Sequence, residues 1–163
     1  MANIGWPLDV NVIRGKTRDR QEANTFGMVR HYADGSDKPH QGWDFLAENG
    51  TPCYAIADGV VKLIYSSKDY GKVLVLSFQW NGREFFAAYA HLSSITVTVG
   101  QSVKRGDKVA LSGSSGNAGN MPAGERHLHF EVRTVPRPGL GLNGRISPWS
   151  IYSMVPWTPV NRV

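Results

Sequence analysis

The sequence predicts a mainly β fold: a single compact domain around a central antiparallel sheet. From about residue 53 onward, short β-type runs alternate with turn signals, and convincing helical periodicity is nearly absent. The dipeptide Asn81-Gly82 lies between two such runs and is a strong hairpin signal, because both residues tolerate positive φ. The length of 163 residues fits one domain, covering 1–163.

The apolar runs place the expected strands along the chain. We predict strands near residues 53–57, 60–65, 72–79, 84–91, 108–112 and 127–133. Residues 1–39 show little periodicity and are expected to be irregular. The tail 134–163 is rich in proline and is expected to be coil packed on the sheet.

The glycine-rich segment 113–126 allows two compatible interpretations. Its composition (GSSGNAGNMPAGER) is typical of a flexible surface loop. Its position directly before the phrase HLHFEVR indicates instead a loop that forms one wall of a functional site.

Charge and cysteine content restrict the function only weakly. The net charge of +5 favours anionic partners, but no basic helix or aromatic RNA-binding signature supports nucleic acid. We interpret the early basic run Arg14, Lys16, Arg18 and Arg20 as a solvated face. The lone Cys53 lies in an apolar run and is expected to be a buried small hydrophobic residue.

No targeting or membrane segment is visible. The N-terminal residues lack a basic region followed by an apolar stretch, so no signal peptide is expected. No window approaches 18 apolar residues, and no membrane span is predicted.

Four of the five histidines fall into three short phrases that suggest a zinc site with two spare proton-transfer groups. These are His40 in PHQGWDF, His91 in AYAHLSS, and His127 with His129 in RHLHFEVR. Asp44 follows His40 by four residues. The fifth histidine, His31, lies outside these phrases and is expected in a solvated loop.

Strand geometry predicts how these side chains meet. Residues i and i+2 of a strand share a face, so His127 and His129 are expected on one face with Leu128 and Phe130 buried on the other. On a straight strand His40 and Asp44 would be about 13 Å apart, too far for one metal ion. The chain must therefore bend between them, and glycine at position 42 is suited to that bend.

These phrases together resemble the lysostaphin/LytM-type zinc endopeptidases. HQGWD, then YAHLS, then HLHFE follow the family's order of HxGxD, a histidine in an HLS-like phrase, and HxH. Lesser similarities are Phe26-Gly27 with Arg30, and the run GQSVKRGDKVALSGSSG. The resemblance covers about residues 26–133, which we take as the motif-bearing core. It implies long loops bordering a narrow groove and hydrolysis of peptides in bacterial peptidoglycan.

By motif position, the resemblance implies that His40, Asp44 and His129 bind Zn²⁺, with His127 and His91 as the unligated catalytic pair. Two histidines and one carboxylate leave a fourth position for water, as catalytic zinc requires. No HExxH phrase supplies a glutamate base, so a histidine must serve. We expect His127 to be the base and His91 to stabilise the oxyanion or protonate the leaving amine, with the roles exchangeable.

Two neighbouring residues are candidates for a supporting role. Glu131 shares the strand face of His127 and His129, so it could orient a ligand histidine or lie on the surface. Tyr89 could reach the groove or pack in the core.

The sequence departs from the family pattern before HxH. The loop 113–126 is longer than the family's short link, and Glu125-Arg126 replaces small residues. This leaves the substrate preference open, with Gly–Gly bridges and D-Ala–diaminopimelate crosslinks both possible. A non-catalytic member that binds or activates a wall hydrolase is the main alternative. A lipoyl- or biotinyl-type carrier would present a lysine at a tight turn flanked by small or methionine residues, and the hairpin-like run has no lysine in that setting.

The expected partner is a bacterial peptidoglycan peptide, cleaved by a monomer in the periplasm or cell wall. Without a signal peptide, phage-type lysis or a dedicated secretion machine would bring the enzyme there. Secretion would make the chain an antibacterial toxin, and a cognate immunity protein would then be a second partner.

Overall fold

The computed structural model describes residues 4–163 and confirms the mainly β fold around a large antiparallel sheet. The strands are β1 (Val10–Asn11), β2 (Gly27–His31), β3 (Asp37–His40), β4 (Trp43–Leu46), β5 (Pro52–Tyr54), β6 (Gly59–Ser67), β7 (Gly71–Trp80), β8 (Arg83–Ile95), β9 (Ser102–Val103), β10 (Lys108–Ser112), β11 (His127–Arg133), β12 (Arg145–Ile146) and β13 (Val160–Asn161). The helical elements are α1 (Arg18–Glu22), α2 (Trp149–Tyr152) and a 3₁₀ turn (Gly116–Ala118).

The main sheet runs in the order β12-β11-β8-β7-β6-β9. Strand β4 pairs with β11 beside β12, while β10 pairs with both β5 and β8. Two smaller ladders, β1 with β13 and β2 with β3, complete the paired strands of the described residues. Strand β11 therefore has neighbours on both edges, and all seven of its residues are buried.

Alternation along the central strands divides the buried residues between two faces of the sheet. The larger core contains Leu128, Phe130 and Tyr89, and the smaller one contains Ala88 and Ala90. The even-numbered positions of β11 thus pack in the larger core, as predicted, and its odd-numbered positions face the other side. Cys53 is fully buried, and burial raises the pKa of its thiol to about 12, so it behaves as a small hydrophobic residue.

The predicted hairpin is confirmed. Asn81 (φ 54°) and Gly82 (φ 75°) connect β7 to β8 in a two-residue turn. Positive φ at both positions is the requirement of a type I′ turn. The other four predicted strands are also present, with ends that shift by a few residues.

The ends of the chain contain more structure than the sequence predicts. Within residues 1–39, expected to be irregular, the structure has α1 and the β2–β3 hairpin. The hairpin is mostly polar and has no buried face, so its sequence shows no alternation. The tail 134–163 contains β12, α2 and β13 in addition to coil, and each of these elements has only two to four residues.

No helix in the described part of the chain is long and apolar enough to cross a membrane.

Candidate metal and catalytic site

Asp44 and His129 meet because they are directly opposite each other on neighbouring strands. Strand β4 pairs with β11 in a register that sets Asp44 against His129. Cross-strand partners have Cβ atoms about 5 Å apart, which lets their side chains touch. The Asp44 Oδ1 atom lies 2.8 Å from His129 Nδ1, and both side chains are buried.

His40 reaches the same point from the end of β3. The chain bends at Gln41 and Gly42 before β4 begins, as the spacing predicts. Glycine is required there for close packing, since a Cβ at position 42 would overlap the Phe130 carbonyl oxygen. The bend brings His40 Nε2 to 3.2 Å from Asp44 Oδ1.

His40, Asp44 and His129 form a group with the donor set of a metal site. Each offers one ligand atom, and these atoms lie within 4.8 Å of one another. The other nitrogen of each histidine is held by an acceptor: His40 Nδ1 lies 2.8 Å from the Thr25 carbonyl and His129 Nε2 2.8 Å from Glu131 Oε2. Such acceptors fix the tautomer of metal-binding histidines. The residues present therefore fit a zinc ion.

A break in β8 turns His91 toward this group. The β7–β8 register shifts between Lys72 and Leu74, so β8 carries an extra residue there. His91 occupies that bulge with φ 57°, a left-handed conformation that histidine tolerates better than most residues. Without the bulge, alternation after Tyr89 would aim His91 into the core. Its ring centroid lies 5.2 Å from that of His127 and 6.0 Å from that of His129.

His127 and His91 both have one free ring nitrogen beside the three-residue group. His127 Nδ1 lies 3.1 Å from the Glu125 carbonyl, and His91 Nδ1 lies 2.8 Å from the Ser115 carbonyl. A carbonyl only accepts, so Nδ1 carries the hydrogen in each ring and Nε2 is the basic nitrogen of the neutral form. His127 Nε2 is 3.7 Å from Asp44 Oδ1, beyond hydrogen-bonding distance.

The electrostatics distinguish His129 from the two histidines outside the ligand group. Burial lowers the pKa of His91 to about 4, helped by the neighbouring His129 and His127, and burial also lowers the pKa of His127. Burial alone would lower the pKa of His129, but its hydrogen bonds to Asp44 and Glu131 outweigh burial and raise the pKa to about 9. A metal ion bound at Nδ1 would take the place of the proton on that nitrogen. His91 and His127 are thus neutral near pH 7.

Asp44 is held as a carboxylate. Burial raises its pKa, but the nearby His40 and His127 and the hydrogen bond from His129 outweigh burial and keep the pKa well below its usual range. One oxygen, Oδ1, faces the histidines and is the atom available to a metal.

Two arginines hold the second oxygen of Asp44. Arg14 Nη2 lies 3.1 Å and Arg30 Nη2 3.3 Å from Asp44 Oδ2. The interpretation of Arg14 as part of a solvated face is wrong, because its side chain is only 12% exposed and also pairs with Glu125. Sequence reasoning missed it because nothing in a run of basic residues marks the one that turns inward.

Glu131 forms a hydrogen bond with the second ring nitrogen of His129, Nε2, and is not a surface carboxylate. It is fully buried, and its Oε1 accepts from Arg133 Nε at 2.8 Å and Arg145 Nε at 2.7 Å. The hydroxyl of Tyr70 donates to Oε2, beside His129 Nε2. Tyr70 belongs to no motif, so no sequence signal indicated it.

The structure does not bring Tyr89 or His31 to the site. Tyr89 faces the larger core, and its hydroxyl donates to the Tyr54 carbonyl at 2.8 Å. His31 is solvated as expected, with its side chain 66% exposed. It lies in β2 rather than in a loop, and its Nδ1 atom is 3.5 Å from Asp37 Oδ1.

Loops border a groove of about 430 Å³ above these residues. The β2–β3 hairpin contributes Tyr32 and Lys38, and the turn before β7 contributes Asp69 and Tyr70. The segment 113–126 contributes two further residues (Asn117 and Met121), so the interpretation as a wall of the site is confirmed. Leu140 and Gly141, from the loop after β11, line it as well.

Comparison with protein families agrees with this geometry. Residues 38–143, well over half of the chain, match the model of peptidase family M23. The chain belongs to peptidase family M23. The matched segment contains all five clustered residues: His40, Asp44, His91, His127 and His129.

The curated relatives of this M23 chain are much longer proteins. An uncharacterized metalloprotease of Haemophilus influenzae is 42% identical over 124 residues, which cover 75% of this chain and 23% of that protein. The peptidoglycan DD-endopeptidase ShyB of Vibrio cholerae is 37% identical over 120 residues, 73% of this chain and 26% of its own length. The murein hydrolase activator EnvC of Escherichia coli is 33% identical over 144 residues, 88% of this chain and 28% of EnvC. The chain thus spans about a quarter of the length of these relatives.

Solved M23-like structures share the fold. A zinc-containing peptidase from Vibrio cholerae aligns with a TM-score of 0.65 and 31% identity over 90% of this chain and 39% of that one. The catalytic domain of lysostaphin from Staphylococcus simulans aligns with a TM-score of 0.60 and 26% identity, covering 80% of this chain and 90% of that domain.

Proposed function

We propose that this M23 chain is a zinc-dependent endopeptidase that hydrolyses peptide bonds in bacterial peptidoglycan. One observation carries the proposal: the ligand atoms of His40, Asp44 and His129 converge at the groove, next to two neutral histidines with a free Nε2. Three protein ligands with an open side are typical of catalytic zinc, whereas structural zinc has four.

The protein supplies ligands and an oriented environment for the metal. His40 Nε2, His129 Nδ1 and Asp44 Oδ1 would hold zinc, while the Glu131 carboxylate and the Thr25 carbonyl fix the two imidazole rings. Zinc bound there would polarise the scissile carbonyl and lower the pKa of a neighbouring water molecule.

We assign proton transfer to His127 and His91. Of the two histidines outside the ligand group, His127 has its Nε2 atom 3.7 Å from Asp44 Oδ1, so it is placed to take the proton of the attacking water and return it to the leaving amine. His91, with its pKa lowered to about 4, is neutral at pH 7, and its Nε2 can accept a hydrogen bond that orients the water or the peptide. An oxyanion contact from His91 would first require protonation at Nε2.

The names of the relatives support the substrate class. ShyB is a peptidoglycan DD-endopeptidase, and it is 37% identical to this chain over 120 residues. We therefore place the action in the periplasm or cell wall, by a monomer, since one chain supplies all five residues. An antibacterial toxin or a phage-type lysin would use the same site, and a toxin would add an immunity protein as a partner.

Digestion of purified peptidoglycan tests the proposal. The zinc-loaded wild type should release peptides from walls of diderm or monoderm bacteria, and product masses would identify the bond that is cut. We expect His127→Ala to slow release by about 100-fold or more, the scale of a lost general base, and His129→Ala to stop it. Equal digestion by all three proteins would refute the mechanism, and a zinc chelator should abolish wild-type activity.

A second candidate function follows from the similarity to EnvC, a murein hydrolase activator. An activator would bind a wall hydrolase and would not need the chemistry of the groove. The intact set of two ligand histidines, one aspartate and two free histidines favours the enzyme. An M23 chain that binds no zinc and digests no wall would support the activator.

A further inference from the structure

A second cavity of about 200 Å³ adjoins the groove. Asp69, Tyr70 and Leu140 line both spaces, so the two are neighbours across these residues. The ring of Tyr70 lies 5.0 Å from that of His129, centroid to centroid, which sets the second cavity close to the candidate metal ligands.

Two buried arginines form part of its wall and share one carboxylate. Arg133 and Arg145 both donate from Nε to Glu131 Oε1, while Glu131 Oε2 faces His129 and the Tyr70 hydroxyl. Their side chains are only 1% and 3% exposed. A single Glu131 charge therefore faces two guanidinium charges beside the cavity.

Arg137 adds a third positive charge at the mouth of the cavity. It is exposed, and its guanidinium carbon stacks over the Tyr65 ring at 3.8 Å from the centroid. Among residues 4–163, no carboxylate lies within ion-pair distance of Arg137. Asp69 is an exposed acid on the boundary with the groove. Three arginines thus line the cavity, and among the described residues Asp69 is the one carboxylate in its lining, with Glu131 behind Arg133 and Arg145.

We propose that this cavity is a subsite for a free carboxylate of the peptide substrate, next to the bond that is cut. Guanidinium groups present paired N–H donors that match a carboxylate, and the Arg137 guanidinium over the Tyr65 ring has no ion-pair partner among the described residues. A volume of about 200 Å³ accommodates a side chain or a chain end rather than a second peptide segment. The inference rests on the proposed function and narrows it: the preferred substrate is an acidic stem peptide, not a neutral glycine bridge.

Paired ligands that differ only in charge test the subsite. The probes are a crosslinked stem-peptide dimer from diderm peptidoglycan, with free carboxylates, and the same dimer after amidation of those carboxylates. Binding is measured by calorimetry on the full zinc-loaded chain in a His127→Ala background, in which turnover is expected to be about 100-fold slower or more. The variants are Arg137→Gln, Arg137→Lys and Asp69→Asn. Arg83→Gln is the matched control, because Arg83 also stacks on an aromatic ring, Phe85, in the β7–β8 hairpin.

Arg137→Gln should weaken binding of the carboxylate dimer about fivefold, the scale of one partly exposed ion pair, and leave the amidated dimer unchanged. Arg137→Lys should retain most of the preference, and Asp69→Asn should strengthen binding of the carboxylate dimer. Arg83→Gln should change neither affinity. Equal affinity of the His127→Ala protein for both dimers, or no effect of Arg137→Gln on binding, would overturn the proposed subsite. Failure of the wild type to cleave any wall would refute the proposed function instead, and the binding comparison would still decide the subsite.

Discussion

Glu131 connects the candidate metal site to the rest of the molecule. Its two oxygens accept hydrogen bonds from Arg133, Arg145, Tyr70 and His129, and the side chain has no exposed surface. Buried charges persist only when they are paired and hydrogen-bonded, and here one carboxylate accepts a hydrogen bond from each of two guanidinium groups. The same carboxylate fixes the ring of a candidate zinc ligand.

Glu131→Gln should therefore damage both stability and metal affinity. Removing the charge leaves two buried arginines without a counter-charge, so we expect a loss of about 3 kcal/mol in the free energy of unfolding. Zinc affinity should fall about 10- to 100-fold, the range seen when a supporting carboxylate is lost. Urea unfolding and competition with a chelator measure the two effects.

Glu84→Gln is the control for this variant. Glu84 is exposed and accepts from Ser77 Oγ in the β7–β8 hairpin, far in sequence from the candidate ligands. It should change the free energy of unfolding by less than about 0.5 kcal/mol. If Glu131→Gln behaved like Glu84→Gln, the supporting role of Glu131 would be wrong.

Strand β11 and the bend before β4 organise the site at the level of secondary structure. The alternation of β11 was readable from HLHFEVR, because polar and apolar residues alternate there with period two. The register that sets Asp44 opposite His129 was not readable, since it depends on pairing between segments 85 residues apart. The bulge at His91 also left no sequence signal, because histidine is an ordinary residue at a strand end.

The bend at Gly42 gives a prediction for the whole β3–β4 connection. In Gly42→Ala the new Cβ would overlap the Phe130 carbonyl oxygen of β11 and crowd Glu131 Cγ, so β4 must move away from β11. We expect a loss of about 1–3 kcal/mol in the free energy of unfolding, as for overpacked interiors, together with weaker zinc binding. Chemical denaturation and metal titration measure these changes.

Gly119→Ala provides the comparison. Gly119 follows the 3₁₀ turn with φ −57° and ψ −30°, and the nearest atom to its new Cβ would be 3.5 Å away. Alanine adopts this conformation without strain, so stability should stay unchanged or rise slightly. Matching behaviour of the two alanine variants would show that close packing at Gly42 does not hold the site together.

For the molecule as a whole, motif order predicted more than composition did. The five site residues and the β-rich core could be predicted because three phrases kept the family's order and the apolar runs alternated with turns. The β2–β3 hairpin and the short elements after residue 133 could not, since elements of two to five residues are too short to show periodicity. Tyr70, Arg14 and Arg145 reach the site only through long-range packing.

The zinc content of the purified chain tests most directly which of the five residues bind the metal and which are unligated histidines. Elemental analysis after dialysis should give one zinc per chain for the wild type and for His127→Ala, and almost none for His129→Ala, because of these two histidines only His129 is a proposed ligand. Circular dichroism of the three proteins would confirm that each is folded. Loss of zinc in His127→Ala to the same extent as in His129→Ala, or a wild type without zinc, would contradict the assignment of ligands and free histidines.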